Sequence, residues 1–254
     1  MVPLEEIAAF LNSTFDVDAA GDFPNAFNGL QLANDGCVHK VVGAVDANPA
    51  SVERAIEQEA DLLCVHHGLY WNGVQPMVGP VYDLFQKAME ANLAIYSLHL
   101  PLDSHPSFGH NTSIARALNL REAGYFCNYF EQNCGLICDG GGESVEVLQQ
   151  RIKNNFPNGH HALLYGPCYV NKIGIVSGSG GQDLLNEIVK SQIDTLITGE
   201  IRYSAISFAQ LYRLNVFACG HYATECFGVK NLLSLIENQF HLPCEFLNFE
   251  GISL

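Results

Sequence analysis

The chain has 254 residues, 48% apolar and 15% charged, enough for one large or two modest cores, which excludes a disordered polymer. Its formal net charge of −15 repels phosphate backbones and so argues against DNA or RNA partners. No run of about 18 consecutive apolar residues marks a membrane span.

The opening MVPLEEIAAF has no basic segment followed by an apolar core, so no signal peptide is expected. Its pattern predicts a helix, with Pro3 at the first position and Leu4, Ile7, Ala8 and Leu11 on one face. GDFPNAFNGLQL (21–32) is turn-rich and is expected to form a surface loop. From Val41 an alternation begins. VVGAV is a buried strand, 50–60 a helix, LLCV (62–65) a strand, 80–91 an amphipathic helix and LAIYSL (93–98) a strand. A helix over 111–118 would be capped by Asn111 or Thr112. The rhythm then repeats. CGLIC (134–138), IGIVSG (173–178), DTLITG (194–199) and NVFACG (215–220) are strands, and CEFLNF (244–249) follows the last helix. Helices are expected over 144–156 and 224–239 and near 182–191 and 202–213.

Strands and helices alternating at this spacing predict an α/β protein of two similar lobes with mostly parallel or mixed sheets. The aromatic, aperiodic stretch 124–132 is the expected boundary, giving an N-terminal lobe of 1–126 and a C-terminal lobe of 127–254. Nine cysteines, an odd number with no CxxC pair, partly lie in apolar runs. They suit buried thiols in a reducing, cytoplasmic setting.

Ligands of α/β folds gather beyond the carboxyl ends of strands, and here those ends are polar. Asp46 follows the first strand, His66 and His67 the second, and His99 and then Asp103 the third. In the second half Ser177 and Gly178, Gly199 and Glu200, and Gly220, His221 and Glu225 take the same places. Adjacent strand residues point to opposite faces. His66 and His67 therefore serve one site only if the chain leaves strand geometry at Gly68, or else each takes its own ion. Partly exposed strand-end histidines are the plain alternative. His221 and Glu225, four apart, share a helix face and are sound ligands for Zn, Mn, Fe or Co; a glutamate compensating a helix N-terminus is the alternative. Asp103 suits a bridging carboxylate or a turn aspartate. His99 suits a group orienting a ligand through its other ring nitrogen, with His105 and His110 nearby. GIVSGSGGQ (174–182) reads as a tight strand-to-helix turn, with Ser177 to Gly181 lining the mouth of the site. It lacks the lysine of a phosphate-binding loop.

FNGLQL, LLCVHHGLYW, YSLHLPLDSHPSFGHN, LITGE and CGHYATE, in this order over residues 27–225, resemble the signature blocks of the Nif-three-like dinuclear metal-centre family. Its members are also labelled GTP cyclohydrolase I type 2 homologues. The short stretch from 130 to 165 matches the compact form, without the inserted domain of larger members. The resemblance implies a dinuclear site between the lobes with His66, His67, Asp103, His221 and Glu225 as ligands to two divalent ions (Zn, Fe, Mn or Co). It also implies a toroidal homohexamer. Five side chains cannot fill two coordination shells, and open positions suit catalysis. The expected chemistry is metal-dependent hydrolysis of an unknown small molecule, GTP cyclohydrolase-like, with His99 or Glu200 assisting proton transfer. The rival is a non-enzymatic metal-handling or regulatory scaffold acting through protein–protein contacts.

Overall fold

Fully buried apolar runs set the two larger sheets of the computed structural model, which describes residues 1–180 and 183–249. In chain order the elements are β1 (Val2–Pro3), α1 (Leu4–Thr14), β2 (Gly29–Leu32), β3 (Cys37–Val38), β4 (Val41–Asp46), α2 (Pro49–Glu57), β5 (Leu62–His67), α3 (Pro80–Glu90), β6 (Ala94–Ser97) and α4 (Leu100–Ser104). Then follow α5 (His110–Ala117), β7 (Arg121–Tyr129), β8 (Gln132–Ser144), α6 (Val145–Asn155), β9 (His161–Leu164), β10 (Tyr169–Val176), α7 (Asp183–Lys190), β11 (Thr195–Thr198), α8 (Ser204–Tyr212), β12 (Asn215–Ala218), α9 (His221–Phe240) and β13 (Cys244–Phe246). The chain forms two α/β units. The first comprises Met1–Leu102 and Gly228–Phe249; the second begins at Asp103 and runs to Phe227. The boundary expected at 126–127 falls inside β7.

The first unit holds a five-stranded sheet of order β13-β4-β5-β6-β2. Its first four strands are parallel and β2 is antiparallel. Every residue of β5 and β6 is buried, as strands covered on both faces require. Asn48 and Ser51 cap α2 reciprocally, side chain to backbone. Val52 and Ala55 of α2 and Ala88 of α3 pack on Val42, Ala44, Leu63, Val65 and Ile95 of the sheet. Registers Asp46↔His67 and Val65↔Ser97 end β4, β5 and β6 almost level. Asp46, His66, His67, Leu98 and His99 thus emerge along one carboxyl edge. The expected surface loop at 21–32 is corrected in part. Gly29–Leu32 is the edge strand β2, and the Asp22 side chain is only 6% exposed. Its hydrogen-bond partners come from the sheet side, not from solvent.

The second unit holds a mixed six-stranded sheet of order β7-β8-β10-β11-β12-β9, parallel only through β10, β11 and β12. Period-two alternation splits its core. Ile173, Ile175, Ile197 and Phe217 face Ile114 of α5 and Leu148 and Ile152 of α6. Val176, Leu196 and Val216 pack with Leu184 and Ile188 of α7 and with Ala205 and Ala209 of α8. The aperiodic stretch around 124–132 is a long hairpin. A register shift between Glu122 and Gly124 and a positive φ of 58° at Cys127 hide its alternation. The expected cap of α5 is also corrected. The N-cap is Gly109, without a side-chain bond, and Asn111 turns inward instead. Among the described residues no helix is long and apolar enough to cross a membrane.

α9 packs directly on β4 at Gly43, where a Cβ would lie 2.8 Å from Leu233 Cδ1 and 2.9 Å from Val229 Cγ1. Replacing Gly43 by alanine is expected to destabilise the protein by about 1–3 kcal/mol through overpacking. Urea unfolding checks this, and an unchanged midpoint would refute the close approach.

Candidate metal centre

The first unit presents three imidazoles whose Nδ1 side is already taken. His66 is fully buried, with Nδ1 3.0 Å from the carbonyl oxygen of Leu98. A carbonyl only accepts, so Nδ1 carries the proton and Nε2 the lone pair. His67 Nδ1 donates to Asp46 Oδ1 at 2.9 Å, and His99 Nδ1 to Asp22 Oδ1 at 2.8 Å. Carboxylates and carbonyls behind metal-binding histidines fix tautomer and ring orientation in this way. One ring nitrogen from each of the three lies within 4.8 Å of the others.

The parity problem of His66 and His67 is resolved at the strand end. Both belong to β5, yet their ring centroids are 4.6 Å apart. β6 stops opposite Val65, so the His66 ring reaches the Leu98 carbonyl on one side while His67 leans to Asp46 of β4 on the other. Gly68 follows directly, where a Cβ would collide with the Gln31 side chain. Trp71, the only tryptophan, stacks on His67 (centroids 5.1 Å, planes 19° apart) and lies 4.2 Å from the His99 ring.

Asp22 anchors this arrangement from a loop. It accepts from Asn28 Nδ2 and Leu100 N, each at 2.8 Å, as well as from His99. Asn28 Oδ1 in turn accepts the His99 backbone N–H at 2.7 Å. Burial works to raise the Asp22 carboxyl. The His99 hydrogen bond and charge, with Asn28 and Leu100, outweigh it and hold the group below its ordinary value.

In the second unit the carboxyl ends of β10, β11 and β12 align through Val176↔Thr198 and Thr198↔Ala218. Ser177 Oγ donates to Asp103 Oδ1 at 2.8 Å, orienting that carboxylate. Asn111 accepts the Ser177 N–H (2.8 Å) and donates to the Cys134 carbonyl (3.0 Å), tying α5 to the same turn. Gly220, with φ of 95°, lets α9 begin at His221, three residues earlier than its apolar periodicity shows. His221 and Glu225 share a face as expected, with Nε2 to Oε1 at 3.0 Å, and Glu200 Oε1 is 3.2 Å from His221 Nδ1. Gly178 takes φ 58°, and a Cβ there would strike Glu225 Oε1 and His221 Nε2. Its N–H is held by Thr224 Oγ1 at 3.0 Å. The glycine turn therefore makes room for these side chains. Gly181 and Gln182 of that turn lie outside the described residues.

The donor chemistry of both units suits Zn, Fe, Mn or Co, since neutral imidazole and carboxylate are their common ligands. Ser177, read from the sequence as lining the mouth of the site, orients Asp103, whereas Asp22 is a supporting residue that sequence reasoning overlooks. Asp22 carries no local signal because its histidine partner is 77 residues away. His110, set behind the other histidines in the sequence reading, is fully buried.

Comparison with known proteins follows the same outline. The profile of the Duf34/NIF3 (NGG1p interacting factor 3) family matches residues 2–251. A protein named GTP cyclohydrolase 1 type 2 homolog from Deinococcus radiodurans is 35% identical over 233 residues, covering 90% of this chain and 88% of that protein. One of the same name from Borreliella burgdorferi is 33% identical, covering 96% and 97%. The solved structure of ybgI, a protein of unknown function, superposes with a TM-score of 0.88 at 26% identity, covering 99% and 100%.

His221 yields a pH prediction. Burial disfavours its charged form, but hydrogen bonds and charge from Glu225 and Glu200 prevail and raise it from 6.5 to about 9. A folded-state value above the unfolded one means the stabilisation is fully present below pH 6.5 and is lost as pH rises towards 9. Metal-free protein is expected to lose thermal stability between pH 6.5 and 9 more steeply than His221→Gln. Parallel melting curves across that window would refute the paired imidazolium.

Proposed function

Because the chain belongs to the Duf34/NIF3 family, we propose that it is a hydrolase that holds two divalent ions per subunit on His66, His67, Asp103, His221 and Glu225. The observation that carries this reading is the convergence of His66, His67 and His99, one ring nitrogen of each within 4.8 Å of the others and each Nδ1 held by an oxygen acceptor. Bound ions supply Lewis acidity, polarising a substrate oxygen and bringing a water pKa down to about 7.

The remaining residues prepare that chemistry. Asp46 and Glu200 orient His67 and His221 through their Nδ1 atoms. Ser177 fixes the Asp103 carboxylate. His99, backed by Asp22, and Glu200 are the groups assigned to proton transfer, since both are beside ligand side chains and can exchange a proton. Trp71 covers His67 and His99 and limits water access to their rings. The names of the curated relatives support hydrolytic ring opening of a heterocycle. With only 12 Lys plus Arg in the chain, the substrate is assigned as a small molecule without commitment to a triphosphate. The assembly is assigned as the homohexamer implied by the family resemblance. A cytoplasmic setting is supported by the odd count of nine cysteines, several of them buried, with no CxxC pair.

Purified without chelator, the protein is expected to carry about two divalent ions per chain. The His66→Ala, His67→Ala double variant is expected to lose metal affinity by at least about tenfold. Metal loading should also change Trp71 emission, a signal absent from the double variant. Turnover is checked on phosphate esters, nucleotides and thioesters. Metal binding without any turnover above the double variant would move the protein to the rival reading of a non-enzymatic metal-handling scaffold.

A further inference from the structure

We propose that His110 is a further metal-facing donor, acting with Asp103 and outside the ligand set above; this rests on the metal-binding part of that reading. Two histidines flank the turn between α4 and α5, and their surroundings separate them. His105 Nδ1 accepts the N–H groups of Ser107 and Phe108, both at 3.1 Å, so that imidazole closes the turn. His110 instead opens α5 with no exposed surface, and one of its ring nitrogens lies within 4.8 Å of an Asp103 carboxylate oxygen. Two ligands sharing one ion at bonds of about 2.0–2.2 Å stand roughly 3–4 Å apart, so a modest side-chain adjustment brings both onto one cation.

The backbone that carries His110 is held on both sides. Gly109 N–H donates to the His105 carbonyl at 3.0 Å, and the Asn111 side chain joins the Cys134 carbonyl to the Ser177 N–H. Ser177 in turn sets the Asp103 carboxylate. One network therefore orients both Asp103 and His110, as a preformed site requires.

The test uses full-length protein loaded with cobalt(II), whose visible absorption reports coordination, and measures affinity by chelator competition. Variants are His110→Ala, His110→Gln and, as a control, His105→Gln. The expected result is a 10–100-fold loss of cobalt affinity with a changed spectrum in His110→Ala. Added imidazole should restore the spectrum, and His105→Gln should match wild type. Should His110→Ala not fold, folded His110→Gln decides by the same two readouts. Wild-type affinity and spectrum in a folded His110 variant would reduce His110 to a structural residue and leave the five-ligand reading standing. Failure of wild-type protein itself to bind cobalt would overturn both.

Discussion

The level termination of neighbouring parallel strands is the constraint from which the histidine cluster follows. A buried imidazole needs an acceptor for its N–H, and in the first unit that acceptor always comes from another strand end or from a loop pinned against one. Asp46 sits opposite His67 because β4 and β5 pair in that register, and the Leu98 carbonyl reaches His66 because β6 stops opposite Val65. Slipping either pairing by one residue would exchange faces and remove the acceptor. The apolar packing of α2 and α3 on the sheet, at about 1.5–3 kcal/mol for each fully buried large side chain, keeps that register in place. Stability of the core and tautomer of the donors are thus one problem, not two.

Electrostatics in the second unit is governed by carboxylates that need a cation. His221 lies between Glu200 and Glu225, and its raised pKa means that without metal a proton supplies the missing positive charge. Small residues make this approach possible. Gly178 leaves space for Glu225 and His221, and a Cβ at Gly199 would stand 2.8 Å from the His221 Cα. Hydroxyls complete the frame, Ser177 on Asp103 and Thr224 on the Gly178 N–H. An acidic chain of net charge −15 can in this way keep a locally cation-seeking site.

Much of this architecture is legible in the residues. Parallel strands buried on both faces read as unbroken apolar runs, so β4, β5, β6, β10, β11 and β12 stand out, and the polar residue after each run marks a carboxyl end. Antiparallel edges are harder. β2 is hidden in a turn-rich loop, and the β7–β8 hairpin loses its alternation to a register shift and a left-handed residue. The α9 start is displaced because HYATE is polar, and the apolar period begins only after it. His105 and His110 illustrate the limit. Both follow Asp103 closely, but one caps a turn and the other is buried beside the carboxylate, a difference without a sequence signal.

The sequence by itself determined the α/β alternation, the family resemblance, and the imidazole and carboxylate types carried at strand ends, because periodicity and strand termination are local properties. Only the tertiary structure decided which oxygen each ring nitrogen meets. Asp22 finds His99 across 77 residues and Ser177 finds Asp103 across 74. Such pairs depend on strand order and register, which arise from packing among distant segments. A hydrogen bond of fixed length and direction then selects one tautomer from two that the amino-acid sequence permits equally.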